Sequence, residues 1–172
     1  MPRPDPSLLE GVVAPEVLQA MKLASEALKR AGVRHVVAGG LAVGANGFPR
    51  ATRDVDFLVG DEAFERHAGG LVTLRAGVPF QVNRVAVDFI GVQADEAFLA
   101  GALDSEPGSM LDGPPLVYMK LKSSRHRDRT DVIELIKAGL DVDRCRGYLS
   151  THSPALVPEL DDAVRRARAE EE

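Results

Sequence analysis

The chain has 172 residues, of which 45% are apolar and 27% charged, with 26 acidic against 21 basic side chains and a net charge of −5. That is room for one domain with a real core, and the balance of hydrophobicity and charge excludes an intrinsically disordered chain. The single cysteine, Cys145, excludes an intrachain disulfide and argues against a Cys-based zinc site, and no apolar run approaches the roughly 20 residues of a membrane span. The opening MPRPDPSLLEG has no continuous apolar core of the kind a signal peptide carries, so a cytoplasmic location is expected.

In chain order, the first dozen residues contain three prolines and are expected to wander over the surface. Pro15 suits a first helical position, Val17, Met21, Ala24, Leu28 and Ala31 form one apolar stripe, and Gly32 stops the helix. Residues 33–38 (VRHVVA) read as a short strand, Gly39-Gly40 as a turn, and LAVGANGF as a short helix. Residues 53–59 (RDVDFLV) form the next strand, 61–67 a helix, and 71–75 and 79–82 weaker strands broken by Gly77 and Pro79. Residues 84–90 (RVAVDFI) are a clear strand ended by Gly91, followed by a helix over 95–103. Beyond GSMLDGPP the pattern predicts helices alone, over 115–126, 129–138, 141–150 and 156–169, with Asp141 as a helix cap. The expected class is α+β: a core over 1–108 and a helical part over 109–172 packed on it.

The chemistry gathers on carboxylates. In a strand, Asp54 and Asp56 project from one face while Val55, Phe57 and Val59 take the other. Two acids so placed repel, and a divalent cation removes the conflict; hard oxygen ligands suit magnesium, or manganese. An isolated Asp-x-Asp is more often a plain exposed strand face. Here a glycine pair lies upstream at a strand-to-helix turn, where backbone N–H groups can approach a phosphate. Asp88 lies in an apolar strand, where a lone carboxylate is costly to bury unless it is paired or bound to metal; the alternative is a strand-end residue facing water. Lys120, Lys122, Arg125, His126, Arg127 and Arg129 cluster within ten positions, an anion-binding face or a solvated helix side. Arg53 alternates away from the acids and reads as structural. Asp128 and Asp131 sit three apart on a helix, where they either pair with nearby bases or support the site. The four histidines show no ligand spacing, and Cys145 reads as packing.

The succession VAGGLAV…RATRDVDFLV, with a third aspartate in RVAVDFIG and SSRHRDRTDVIELIK behind Lys120 and Lys122, resembles the nucleotidyltransferase superfamily, most of all the small AbiEii-type toxins and their relatives. The resemblance covers about residues 33–137. It implies a mixed β-sheet flanked by helices, with a helical C-terminal part closing over a nucleotide. It implies transfer of a nucleoside monophosphate from an NTP to a hydroxyl of tRNA or protein, with Mg2+ or Mn2+ on Asp54, Asp56 and Asp88. Gly39, Gly40, Lys120 and Lys122 would bind the nucleotide, and a cognate toxin or antitoxin partner is implied. Gly-Gly stands where many members have Gly-Ser. The competing expectation is a catalytically weak nucleotidyltransferase-fold binding protein or antitoxin that acts through a partner chain.

Overall fold

A computed structural model of the chain describes residues 3–172, and its architecture is α+β. Helix α1 (Pro15–Arg30) precedes strand β1 (His35–Val37), helix α2 (Gly39–Ala45) and strand β2 (Val55–Val59). A β3–β4 hairpin (Phe64–Arg66, Val72–Leu74) and a tight β5–β6 hairpin (Gln81–Val82, Val85–Gly91) follow. Helices α3 (Gly113–Lys122), α4 (His126–Lys137), α5 (Val142–His152) and α6 (Val157–Glu171) complete the chain. No described helix is long and apolar enough to cross a membrane.

The main sheet is mixed, with order β1-β2-β6-β5. Strand β2 runs antiparallel to β1 and parallel to β6, in a register that sets Asp56 against Asp88 and Phe57 against Phe89. Side-chain alternation assigns the faces. Val55, Phe57, Val59, Val85 and Val87 pack against Ala20, Ala24 and Leu28 of α1. Leu58 turns the other way and meets Ala42 and Val43 of α2, Leu116 of α3 and Leu135 of α4. The helical part has its own core of Val117, Leu121, Val132, Cys145, Leu149 and Leu160. Each such fully buried aliphatic side chain contributes about 1.5–3 kcal/mol relative to exposure. Residues 109–111 run beside β1, with Val37 N–H donating to Ser109 O and Leu111 N–H to Val37 O, so the start of α3 is fixed to the sheet edge. Asn46 adds a second tie, its amide donating to Ala42 O and Leu111 O.

Four sequence expectations are corrected. The proline-rich opening does not wander: past residues 1 and 2, which lie outside the described residues, Asp5 caps a 3-10 turn over Pro6–Leu9. Leu9 and Val13 are buried in the main core, and the Leu9 side chain fills the space above Gly44. Residues 61–67 are a 3-10 turn (Asp61–Ala63) and then strand β3, because Phe64 to Arg66 find a partner in Val72 to Leu74. The segment 94–104 is 3-10 rather than α-helix and is broken at Glu96, whose side chain turns inward to Tyr118 and Lys122. Strand β2 begins at Val55, where its pairing with Val87 begins; Asp54 occupies the bend before it. Strict alternation therefore governs Asp56 and not Asp54.

Candidate active site

The face of the sheet that carries Leu58 opens, beyond Asp56, into a cavity of about 790 Å3 between the start of β2, the turn into α2, and α3 with the loop that follows it. Asp54, Asp56, Asp88, Gly39, Gly40, Lys120 and Lys122 all line it. The sequence-predicted site residues are thus brought together, from segments spread over more than eighty positions.

Asp56 is the centre of the arrangement. It is half-buried on β2, directly beside Asp88 on β6, with Asp54 close by. Burial comes first in pushing its carboxyl above the usual range, the negative charges of Asp88 and Asp54 add to that, and the positive charges of Lys120 and Arg125 only partly offset it. Gly39, at φ +60°, lets the chain turn from β1 into α2 immediately against this carboxylate: a β-carbon there would lie 2.0 Å from Asp56 Oδ2. Ala38 N–H donates to Asp56 O, holding turn and strand together.

The acids of this region fall into two groups. Asp128 and Asp131, buried on α4, are fully engaged: Lys120 Nζ donates to Asp128 Oδ1 at 2.8 Å and to Asp131 Oδ2 at 2.9 Å. Arg50 adds a bidentate pair to Asp131 through Nε (2.9 Å) and a terminal guanidinium nitrogen (3.0 Å), and Arg125 Nε reaches Asp128 Oδ2 at 3.0 Å. Burial disfavours the Asp128 anion, but hydrogen bonds from Lys120 and Ser123 and the charges of Lys120 and Arg125 outweigh it and hold its carboxyl below the usual range. Glu96 is likewise claimed by Lys122 and by Tyr118 Oη (2.6 Å). By contrast, among the described residues none of Asp54, Asp56 and Asp88 pairs with a basic side chain. The protein pairs its buried acids Glu96, Asp128 and Asp131 internally, while half-buried Asp56 and exposed Asp54 and Asp88 face the cavity.

Asp56 and Asp88, on adjacent strands at an open cavity, offer carboxylate oxygens, the donor type that a hard divalent cation takes. Among the described residues no three His, Cys, Asp or Glu side chains form a ready-made cage. A small cation that keeps several waters and shares substrate phosphates is suited to such an open set.

Two expected nucleotide ligands have other contacts. Lys120 is 9% exposed at its side chain and is tied to Asp128 and Asp131 in the cavity wall, where its charge still reaches Asp56. Lys122 pairs with Glu96 and stacks its ammonium over Tyr118, 5.6 Å from the ring centre. Arg53, read as structural from strand alternation, lines the cavity because it precedes the strand. Arg53 and Arg127 are exposed there and, among the described residues, pair with no carboxylate. Arg50 and Thr52 also line the cavity and were missed by the sequence reading. The available signal was their position: Arg50 and Thr52 stand immediately before the Asp-x-Asp, in the same loop that brings Arg53 and Asp54 to the cavity.

No family model matches the chain, and no curated protein matches it. Among solved structures, an antigenic nucleotidyltransferase-like protein from Paracoccidioides brasiliensis superposes with a TM-score of 0.40 at 16% identity, covering 87% of this chain and 94% of that one. Likeness at that level carries no statement about chemistry.

Proposed function

We propose that the chain is a magnesium-dependent nucleotidyltransferase that moves a nucleoside monophosphate from an NTP to a hydroxyl acceptor. The observation that carries this reading is the separation of the acids. Among the described residues, Asp54, Asp56 and Asp88 have no basic partner at a cavity whose rim holds Arg53 and Arg127, themselves paired with no carboxylate, while the buried acids Glu96, Asp128 and Asp131 are matched. Leaving a half-buried carboxylate uncompensated beside a second one costs stability, and functional sites are where such costs concentrate.

Asp56 and Asp88, joined by Asp54, would hold the ion, which when bound supplies charge neutralisation on the phosphates and polarisation of the attacking oxygen. The chain's own groups do the rest. The Gly39-Gly40 turn, which has no side chains of its own, would bring backbone N–H groups to the phosphates beside Asp56, Thr52 and Arg50. Arg53 and Arg127 draw the polyanionic nucleotide toward the mouth of the cavity. Asp88, exposed on β6, accepts the proton of the acceptor hydroxyl as its oxygen bonds to the α-phosphorus, the bond to the bridging oxygen breaks, and pyrophosphate leaves. Lys120 acts through Asp128, Asp131 and its field at Asp56, and is a positioning residue. The resemblance noted in the sequence extends the proposal to tRNA or protein as acceptor and to a toxin–antitoxin setting.

The test is incubation of purified protein with magnesium, each α-labelled NTP, and total tRNA or lysate protein. Label transfer that disappears with EDTA and in Asp56→Asn is the expected result. Absence of transfer to every acceptor, with tight binding of a second protein instead, would favour the reading as a binding partner of nucleotidyltransferase fold.

A further inference from the structure

Gly40 differs from Gly39 in having no left-handed backbone to explain it. What it provides is space. A β-carbon at position 40 would lie 3.0 Å from Thr52 Oγ1, 3.1 Å from Thr52 Cγ2 and 3.2 Å from a terminal guanidinium nitrogen of Arg50. Those distances are tighter than ordinary contacts, so a side chain at 40 would push both groups away from the turn. The glycine lets a hydroxyl and a guanidinium close onto the backbone at the point where Asp56 faces the cavity.

We propose that Thr52 and Arg50 form the phosphate clamp of this site, with the Thr52 hydroxyl and the free edge of the Arg50 guanidinium donating to phosphate oxygens of the NTP beside the Gly39-Gly40 turn. The assignment rests on the nucleotidyltransferase reading and says which side chains of the chain meet the triphosphate. The lysines expected in that role are occupied: Lys120 bonds Asp128 and Asp131, and Lys122 bonds Glu96. Arg50 is held by Asp131 through Nε and one terminal nitrogen, which fixes the plane of the guanidinium and leaves its remaining N–H groups as donors. Its side chain is 20% exposed, against 2% for Asp131 beneath it, so its open side is the cavity side. A planar, pre-oriented guanidinium suits phosphate better than a mobile ammonium. The Thr52 hydroxyl makes only a local bond, 3.1 Å to Arg50 O, which a charged phosphate oxygen can replace.

The experiment measures Kd for a non-hydrolysable NTP and for the matching nucleoside, with magnesium present, by calorimetry on the full chain. Arg50→Gln also strips a buried acid of its partner, so the decisive variant is Thr52→Val, which keeps the side-chain shape, backed by Thr52→Ser and Gly40→Ala. The clamp requires Thr52→Val and Gly40→Ala each to weaken NTP binding by about tenfold to a hundredfold, the range of a hydrogen bond to a charged group. Nucleoside affinity should stay unchanged, Thr52→Ser should retain most NTP affinity, and the Thr52→Val melting temperature should stay near that of the parent. Parent protein that binds NTP, with Thr52→Val and Gly40→Ala binding it equally well, would overturn the clamp alone. Parent protein that binds no NTP would overturn the nucleotidyltransferase reading, and the clamp with it.

Discussion

Gly39 packs its α-carbon directly on the Asp56 carboxylate, so closely that a β-carbon would stand 2.0 Å from Oδ2. Strand β2 and the turn into α2 are therefore fitted around one acid. Gly39→Ala must both strain a left-handed backbone and displace that acid. We expect a stability loss of about 2 kcal/mol or more, a drop of roughly 4–8 °C in melting temperature for a chain of this size. Thermal unfolding followed by circular dichroism checks it.

Asp56→Asn should do the opposite to stability. The carboxylate is disfavoured first by burial and then by its acidic neighbours, so neutralising it relieves repulsion at neutral pH. The variant is expected to melt about 2–4 °C higher than the parent, on the order of 1 kcal/mol, while losing label transfer. Paired melting curves and transfer assays read both effects; a variant that is inactive and also less stable would show that Asp56 holds up the fold.

Lys120 and Lys122 should separate by stability. Lys120→Met leaves Asp128 without one of its two basic partners and Asp131 dependent on Arg50, both acids being buried. Removing one member of such a group costs about 3–5 kcal/mol. Lys122 is 39% exposed, and Tyr118 still donates to Glu96 when it is gone, so Lys122→Met is expected to cost less than half as much. Urea unfolding of the two variants side by side measures the gap.

His35 gives the fold a pH dependence. It is 1% exposed; Nδ1 faces the Val33 carbonyl at 2.8 Å, which can only accept, so Nδ1 carries the proton and Nε2 accepts from the Ser25 hydroxyl at 2.7 Å. Burial, aided by the charge of Lys29, holds its pKa below the ordinary 6.5, against the pull of the Val33 bond. Below 6.5 the unfolded chain binds the proton that the folded chain resists, so stability falls as pH drops from there. His35→Gln should flatten the fall; unfolding free energy measured between about pH 7 and 5 checks it.

Periodicity and composition made most of this architecture legible. The stripe from Val17 to Leu28, the strand at Asp56, the strand at Asp88 and the helices from Gly113 onward lie close to where the pattern puts them, because in each the spacing of apolar residues matches the surfaces it buries. Misread stretches were those whose structure depends on a distant partner. Phe64 to Arg66 become a strand only because Val72 to Leu74 lie beside them, and Leu9 is anchored only because Gly44 leaves a hollow. At the site, local spacing brought Asp54 and Asp56 to attention, but nothing local says that Lys120 bonds Asp131, or that Arg50 crosses eighty-one positions to reach the same acid.

The most direct test is divalent-ion binding at the three unpaired acids. Mn2+ is titrated by electron paramagnetic resonance into the parent protein and into Asp56→Asn and Asp88→Asn, with and without a non-hydrolysable NTP. The parent should take up at least one ion per chain, more tightly with nucleotide present, and both variants should lose that uptake while remaining folded. Uptake by the variants equal to the parent, or none by the parent even with nucleotide, would contradict the assignment of these carboxylates to a metal-bound phosphate.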